Sequence, residues 1–134
     1  MSQANVEVAR KLYELFARRD VAAAFPDYAD PNLELRVPPV YPDAPEVFRG
    51  REGIETWIAM VDEVWAEWRF EPERYLDAES SVVVLARLVA KGSTSGIHLE
   101  RDVAHLWAFD GGRATSIQVY LNQAEALEAA GIGE

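Results

Sequence analysis

Asp102 to Leu121, reading DVAHLWAFDGGRATSIQVYL, is the stretch that leaves this chain the fewest structures to choose from. Two β-rich runs flank Asp110-Gly111-Gly112. In the first, the odd positions are Val103, His105, Trp107 and Phe109; in the second they are Ile117, Val119 and Leu121, so period two gives each strand one apolar face. A two-residue loop would pair odd with even positions and split that face. The pattern therefore predicts a three-residue loop with glycine at a left-handed bulge position, which pairs odd with odd and sets His105 among Val119, Ile117 and Trp107. One ionisable group then sits on an otherwise apolar wall.

At 134 residues the chain fits one domain, and roughly two thirds of its unfolded surface can be buried. A hydrophobic fraction of 49% with 27% charged residues is globular, and no apolar run approaches the roughly 20 residues that span a bilayer. The start, MSQANVEVARK, lacks the apolar core of a secretion signal, and with no cysteine there is neither a disulfide framework nor a thiolate metal site, so a cytoplasmic protein is expected. A net charge of -10 repels nucleic acid and anionic membranes, and neither is expected as a partner.

Val6 to Arg18 carries the apolar stripe of an amphipathic helix, with Glu7/Lys11 and Glu14/Arg18 four apart on its outer side. Asp20 caps a second, short helix over Val21 to Tyr28. Leu33 to Val37 alternates as a strand and runs into Pro38, Pro39, Pro42 and Pro45, a stiff loop that contains Tyr41 and Asp43. Gly50 to Trp68 is the longest helical pattern, with Ile54, Trp57, Ile58, Val61, Val64, Trp65 and Trp68 at three and four residue spacing; its ordinary reading is core packing. Glu52, Glu55, Asp62, Glu63 and Glu67 fall mostly off that face and read as solvated.

After Pro72 the pattern becomes extended over Arg74 to Leu76, Val82 to Ala90 and Ile97 to Phe109, with turns between. Helices first and an antiparallel sheet after make an α+β domain spanning 1–134. Val82 to Ala90 is apolar at both parities, and Ala104, Leu106 and Ala108 are apolar on the side away from His105. Such a sheet needs cover on both faces. One face takes the helices, and the other is expected to take a second subunit, giving a two-fold homodimer through the outer sheet face. Gln123 to Ala130 forms a last short helix stopped at Gly131.

Nearly the whole chain resembles a SnoaL-like protein of the nuclear transport factor 2-like superfamily, which also holds ketosteroid isomerases, scytalone dehydratase and limonene epoxide hydrolase. VARKLYELFARRDVAAAF at 8–25, FRGREGIETWI at 48–58, AHLWAFDGGR at 104–113 and QVYLNQAEALEAAGI at 118–132 carry the likeness. It implies a cone-shaped, curved, mostly antiparallel sheet packed against three N-terminal helices. It also implies a pocket for a small hydrophobic molecule, worked by acid/base chemistry without a cofactor. The general-base Asp of ketosteroid isomerases falls here at Arg36 or Val37. Their oxyanion-stabilising Tyr falls at Leu12, with Tyr13 one residue and about 100° further round the helix. Their protonated Asp falls at His105, and an Asp frequent in the family falls at Asn122.

These readings single out His105 as proton-transfer or oxyanion-polarising group, with Tyr13 and Asp43 as possible catalytic partners. The alternative for His105 is a buried neutral histidine with satisfied nitrogens. Val37, Tyr41, Trp57, Val61, Trp65, Arg87, Val103, Trp107, Ile117, Val119 and Leu121 are the expected ligand-contacting residues. Arg87 and Arg101 either enter the pocket as anion contacts or extend to its rim. His98, beside Glu100 and Asp102, reads as exposed. Two histidines so placed make no metal site. The expected activity is a cofactor-independent isomerase, cyclase, lyase or hydrolase; the alternative is a non-catalytic small-molecule-binding or dimerisation module.

Overall fold

The computed structural model describes residues 2–25, 27–38, 46–92 and 96–132. The first apolar stripe winds into α1, Ser2–Ala17, which buries Val6, Ala9, Leu12, Tyr13 and Leu15. Its surface ion pairs form three residues apart, Arg10 with Glu7 and Lys11 with Glu14, rather than at the expected four. Asp20 caps α2, Val21–Ala24, by accepting from the Ala23 amide, but the helix ends four residues earlier than expected. Phe25 precedes a proline and is extended, as steric conflict with the proline ring requires.

Two strands follow, β1 (Ala29–Arg36) and β2 (Val47–Arg49), and then α3, Gly50–Val64. Gly50 opens α3 at φ +67, where a Cβ would meet the Pro31 carbonyl oxygen at 2.9 Å, so only glycine fits. The helix does not run to Trp68 as its spacing suggests. Trp65 is already extended and begins β3, Trp65–Ala78. Two patterns overlap here: Val61, Val64, Trp65 and Trp68 read as helix, while Trp68 and Phe70 alternating with Glu67, Arg69 and Glu71 read as strand. Pairing of β3 along its length with β4 (Ser81–Gly92) decides for the strand. The Trp68 indole then donates to Asp62 across the junction at 2.6 Å. Pro72 is accommodated because β3 is an edge strand with a register shift between Pro72 and Arg74.

β5 (His98–Asp110) and β6 (Arg113–Tyr120) complete a six-stranded curved, unclosed sheet of order β2-β1-β6-β5-β4-β3. Among the described residues, only the β1–β6 pair is parallel. The β5–β6 hairpin reaches the expected odd-with-odd register by a different device. Gly111 and Gly112, both at positive φ, make a two-residue turn closed by Asp110 and Arg113, which pairs odd with even. A register shift then leaves Thr115 unpaired, its hydroxyl donating to the Ala108 carbonyl at 3.3 Å, and from there His105 faces Val119 and Trp107 faces Ile117.

α1 and α3 pack on the inner face, whose core includes Leu35, Trp68, Val82, Val84, Val103, Trp107 and Val119. On the outer face the cover expected from a second subunit comes in part from the chain itself. α4, Gln123–Ala129, capped by Asn122 and ended at Gly131 (φ +75), sets Ala126 against Val83 and Ala104, with Leu127, Ala130 and Ile132 around them. No helix among the described residues is long and apolar enough to cross a membrane.

Candidate functional site

Between the inner face of the sheet and the two long helices lies a cavity of about 70 Å³. α1 contributes Leu12, Tyr13 and Phe16, with Phe16 four residues from Leu12 and three from Tyr13, the spacings that make helix neighbours. α3 contributes Ile54 and Trp57, and strand alternation brings Leu35 from β1, Phe70 from β3, His105 and Trp107 from β5, and Ile117 and Val119 from β6. The volume is about half the roughly 150 Å³ of an apolar cavity that takes up benzene. A ring-sized guest must therefore displace a wall side chain, and Phe16, Trp57, Phe70 and Ile117 are only half-buried.

The polar atoms of this wall form one chain. The Tyr13 hydroxyl lies 2.5 Å from Nδ1 of His105, and the Trp107 indole N–H donates to the Tyr13 oxygen at 3.0 Å. Nε2 of His105 has no hydrogen bond among the described residues. No side-chain nitrogen or oxygen sealed from solvent there lacks a partner, so Nε2 opens on the cavity that His105 lines. Phe70 stands edge-on to the imidazole at 4.6 Å between ring centres and Tyr13 stacks beside it at 5.8 Å. Burial disfavours the imidazolium and pushes the His105 pKa from 6.5 down to about 4. Burial likewise raises the Tyr13 pKa well above its ordinary 10. Both groups are neutral near pH 7.

Tyr13 therefore reaches the site directly, although the family register sets Leu12 at the tyrosine position; both side chains line the cavity. Trp57, Trp107, Ile117 and Val119 also line it, as expected. Val103 is buried and Val37, Val61 and Trp65 half-buried around the same core, outside the cavity wall. Leu121 follows β6 and is 44% exposed. Arg87 lies on the opposite face of the sheet, where Glu100 holds it at 2.8 Å and Glu73 and Asp102 stand within 4 Å. Its odd position in β4 pairs it with Asp102, on the face away from His105, whose partner is Val84. Arg101 donates outside to the Leu121 carbonyl, and His98 is exposed. Tyr41 and Asp43 lie outside the described residues. Among those described, no acidic, histidine or cysteine cluster could hold a metal ion.

Sequence reading missed Leu12, Phe16, Leu35, Ile54 and Phe70 as wall residues. Leu12 and Phe16 were visible as one stripe of α1, whereas Phe70 was hidden by reading its neighbours as helix. A wider cleft of about 270 Å³ opens between the start of α2 and α3, lined by Arg19, Asp20, Arg51 and Glu55. Its charges are engaged: Arg51 pairs with Glu55 at 3.0 Å, and Arg19 lies over the Trp68 ring at 4.4 Å. The smaller cavity, with its buried titratable pair, is the candidate site.

The SnoaL-like domain family matches residues 9–117. Among solved structures, a nuclear transport factor 2-like protein of unknown function from Burkholderia pseudomallei K96243 is similar at 24% identity and TM-score 0.75, over 93% of this chain and 95% of that one. TerC, co-crystallised with polyporic acid, is similar at 23% identity and TM-score 0.78, over 96% and 98% of the two chains. A hypothetical protein with a ketosteroid isomerase-like fold from Catenulispora acidiphila DSM 44928, in complex with trimethylamine, is similar at 17% identity and TM-score 0.71, over 95% and 94%. No curated protein matches. These structures share the fold, and the match over 9–117 shows that the chain belongs to the SnoaL-like family.

Proposed function

We propose that this chain takes up a small hydrophobic molecule and acts on it without a cofactor, as an isomerase, cyclase, lyase or hydrolase, with His105 as the polarising group and Tyr13 holding it in place. The observation that carries the reading is the Tyr13–His105 pair set in an otherwise apolar cavity wall. The small molecules bound by TerC and by the Catenulispora protein are in keeping with it. The second reading, a non-catalytic binding module, is favoured by one observation: no carboxylate lines the cavity among the described residues.

Histidine NMR tests both, with His98 as the exposed internal control. A His105 signal that moves when small hydrophobic ketones or phenols are added supports the pocket; indifference to every compound removes it. Turnover that survives His105→Ala would reject His105 as the polarising group, whereas binding without turnover by the wild type would leave the binding module. We also propose that the chain pairs two-fold through the outer sheet face, where Leu85, Val89, Leu106 and Ala108 keep partial exposure. Sedimentation as a monomer at micromolar concentration would reject that.

A further inference from the structure

We infer that Trp107, acting through Tyr13, locks His105 as the tautomer whose proton sits on Nε2, so that the site selects ligands presenting a hydrogen-bond acceptor such as a carbonyl oxygen. The selection rests on the pocket proposed above; the lock does not.

The argument is one of donors and acceptors. An indole nitrogen can only donate, so the 3.0 Å contact from Trp107 Nε1 uses the Tyr13 oxygen as acceptor. Tyr13 has a single hydroxyl proton, and its remaining close polar neighbour is His105 Nδ1, so that proton points at the imidazole. Nδ1 must then offer its lone pair. In a neutral imidazole the proton is left on Nε2, the nitrogen that opens on the cavity. Burial keeps the ring neutral and so keeps the choice between tautomers meaningful. The group shown to a ligand is thus an N–H donor and not a base.

A ligand oxygen that gains electron density, as in a carbonyl moving toward an enolate, is stabilised there, whereas a ligand N–H or O–H meets no acceptor on this nitrogen. Reversing the lock would reverse the preference. Trp107 touches the ring nitrogen only through Tyr13, so it is a positioning residue for His105.

Nitrogen-15 NMR of the full chain reads the tautomer directly. The wild type should show His105 Nε2 pyrrole-like with a bound proton and Nδ1 pyridine-like. Trp107→Phe removes the indole donor and frees the tyrosine oxygen to accept, so both tautomers should appear. Tyr13→Phe, closer in volume, should release the ring in the same way if Trp107→Phe fails to fold. A wild-type proton on Nδ1, or a pure Nε2–H tautomer in every folded variant, overturns the lock.

The probes for selection are 2-butanone and its acceptor-free isostere 2-methyl-1-butene. The ketone should move the Nε2–H signal, and its affinity relative to the alkene should fall in proportion to the Nε2–H population, about twofold in a variant with equal tautomers. An unchanged ratio overturns the selection. Failure of both probes to bind, with the proton still on Nε2, removes the pocket reading and the selection together while the lock stands.

Discussion

Tyr13 on α1 and His105 on β5, separated by 92 positions, meet through a single hydrogen bond inside the core. Removing the hydroxyl leaves Nδ1 of His105 and the Trp107 indole N–H without their shared partner. Tyr13→Phe should therefore destabilise by about 3 kcal/mol, since each buried polar group left unpaired costs roughly 1–3 kcal/mol. Urea denaturation checks it; a loss under about 0.5 kcal/mol would mean that water or local adjustment satisfies both groups.

Acid should weaken the fold through His105. Its folded pKa, about 4, lies below the ordinary 6.5, so between those values the unfolded chain binds the extra proton. Stability then falls as pH drops through that window, by roughly 3 kcal/mol in full, and this contribution is intact above pH 6.5. The measurement is the urea midpoint against pH for wild type and His105→Gln, which cancels the carboxylates common to both. Parallel curves would show that burial of a neutral imidazole is not the source.

Deleting Thr115 should be tolerated. Ser116 would then follow Ala114 directly, so Ala108 would still meet Ser116, Trp107 would meet Ile117 and His105 would meet Val119, and only the bulge with its hydroxyl contact to the Ala108 carbonyl would be lost, at a cost of no more than about 2 kcal/mol. Near-ultraviolet circular dichroism, which reports fixed packing of the tryptophans, should be retained; its loss would mean that the local twist of the bulge is needed to seat β6.

Trp57→Ala should enlarge the cavity at a cost of about 3 kcal/mol, the lower end for a large aromatic because Trp57 is only half-buried. It should then admit ring-sized ketones that the wild type takes up weakly, a gain measurable by His105 chemical shifts. Arg87→Ala, in contrast, should change stability by less than about 1 kcal/mol and leave those shifts untouched, since its partners lie on the outer face.

Much of this arrangement was legible in the residues. Alternation in β5 and β6 put His105 beside Val119 and Trp107, because a face with one parity of apolar residues tolerates only one register. The turn that achieves it was not legible: a three-residue loop and a two-residue loop with a bulge give the same facing pairs. Trp68 fits a helical period with Trp65 and a strand period with Phe70, and only the partner strand β4 resolves it. Arg87 sits at a parity whose face could be named only once β4 was aligned against β5. Tyr13 was visible as a buried position of α1, but its meeting with His105 depends on how the helix lies across the sheet, which no local pattern encodes.

Desolvation of the imidazole also determines what acidity will do to the pocket's occupant. With His105 uncharged down to about pH 4 and the Tyr13 hydroxyl protonated well above its usual range, this wall carries the same charge from mild acid to mild alkali. A pH dependence of ligand affinity for this wall in that interval, in the folded protein, therefore follows the guest's own ionisation. The cavity acts as a fixed reference against which the guest's chemistry is read.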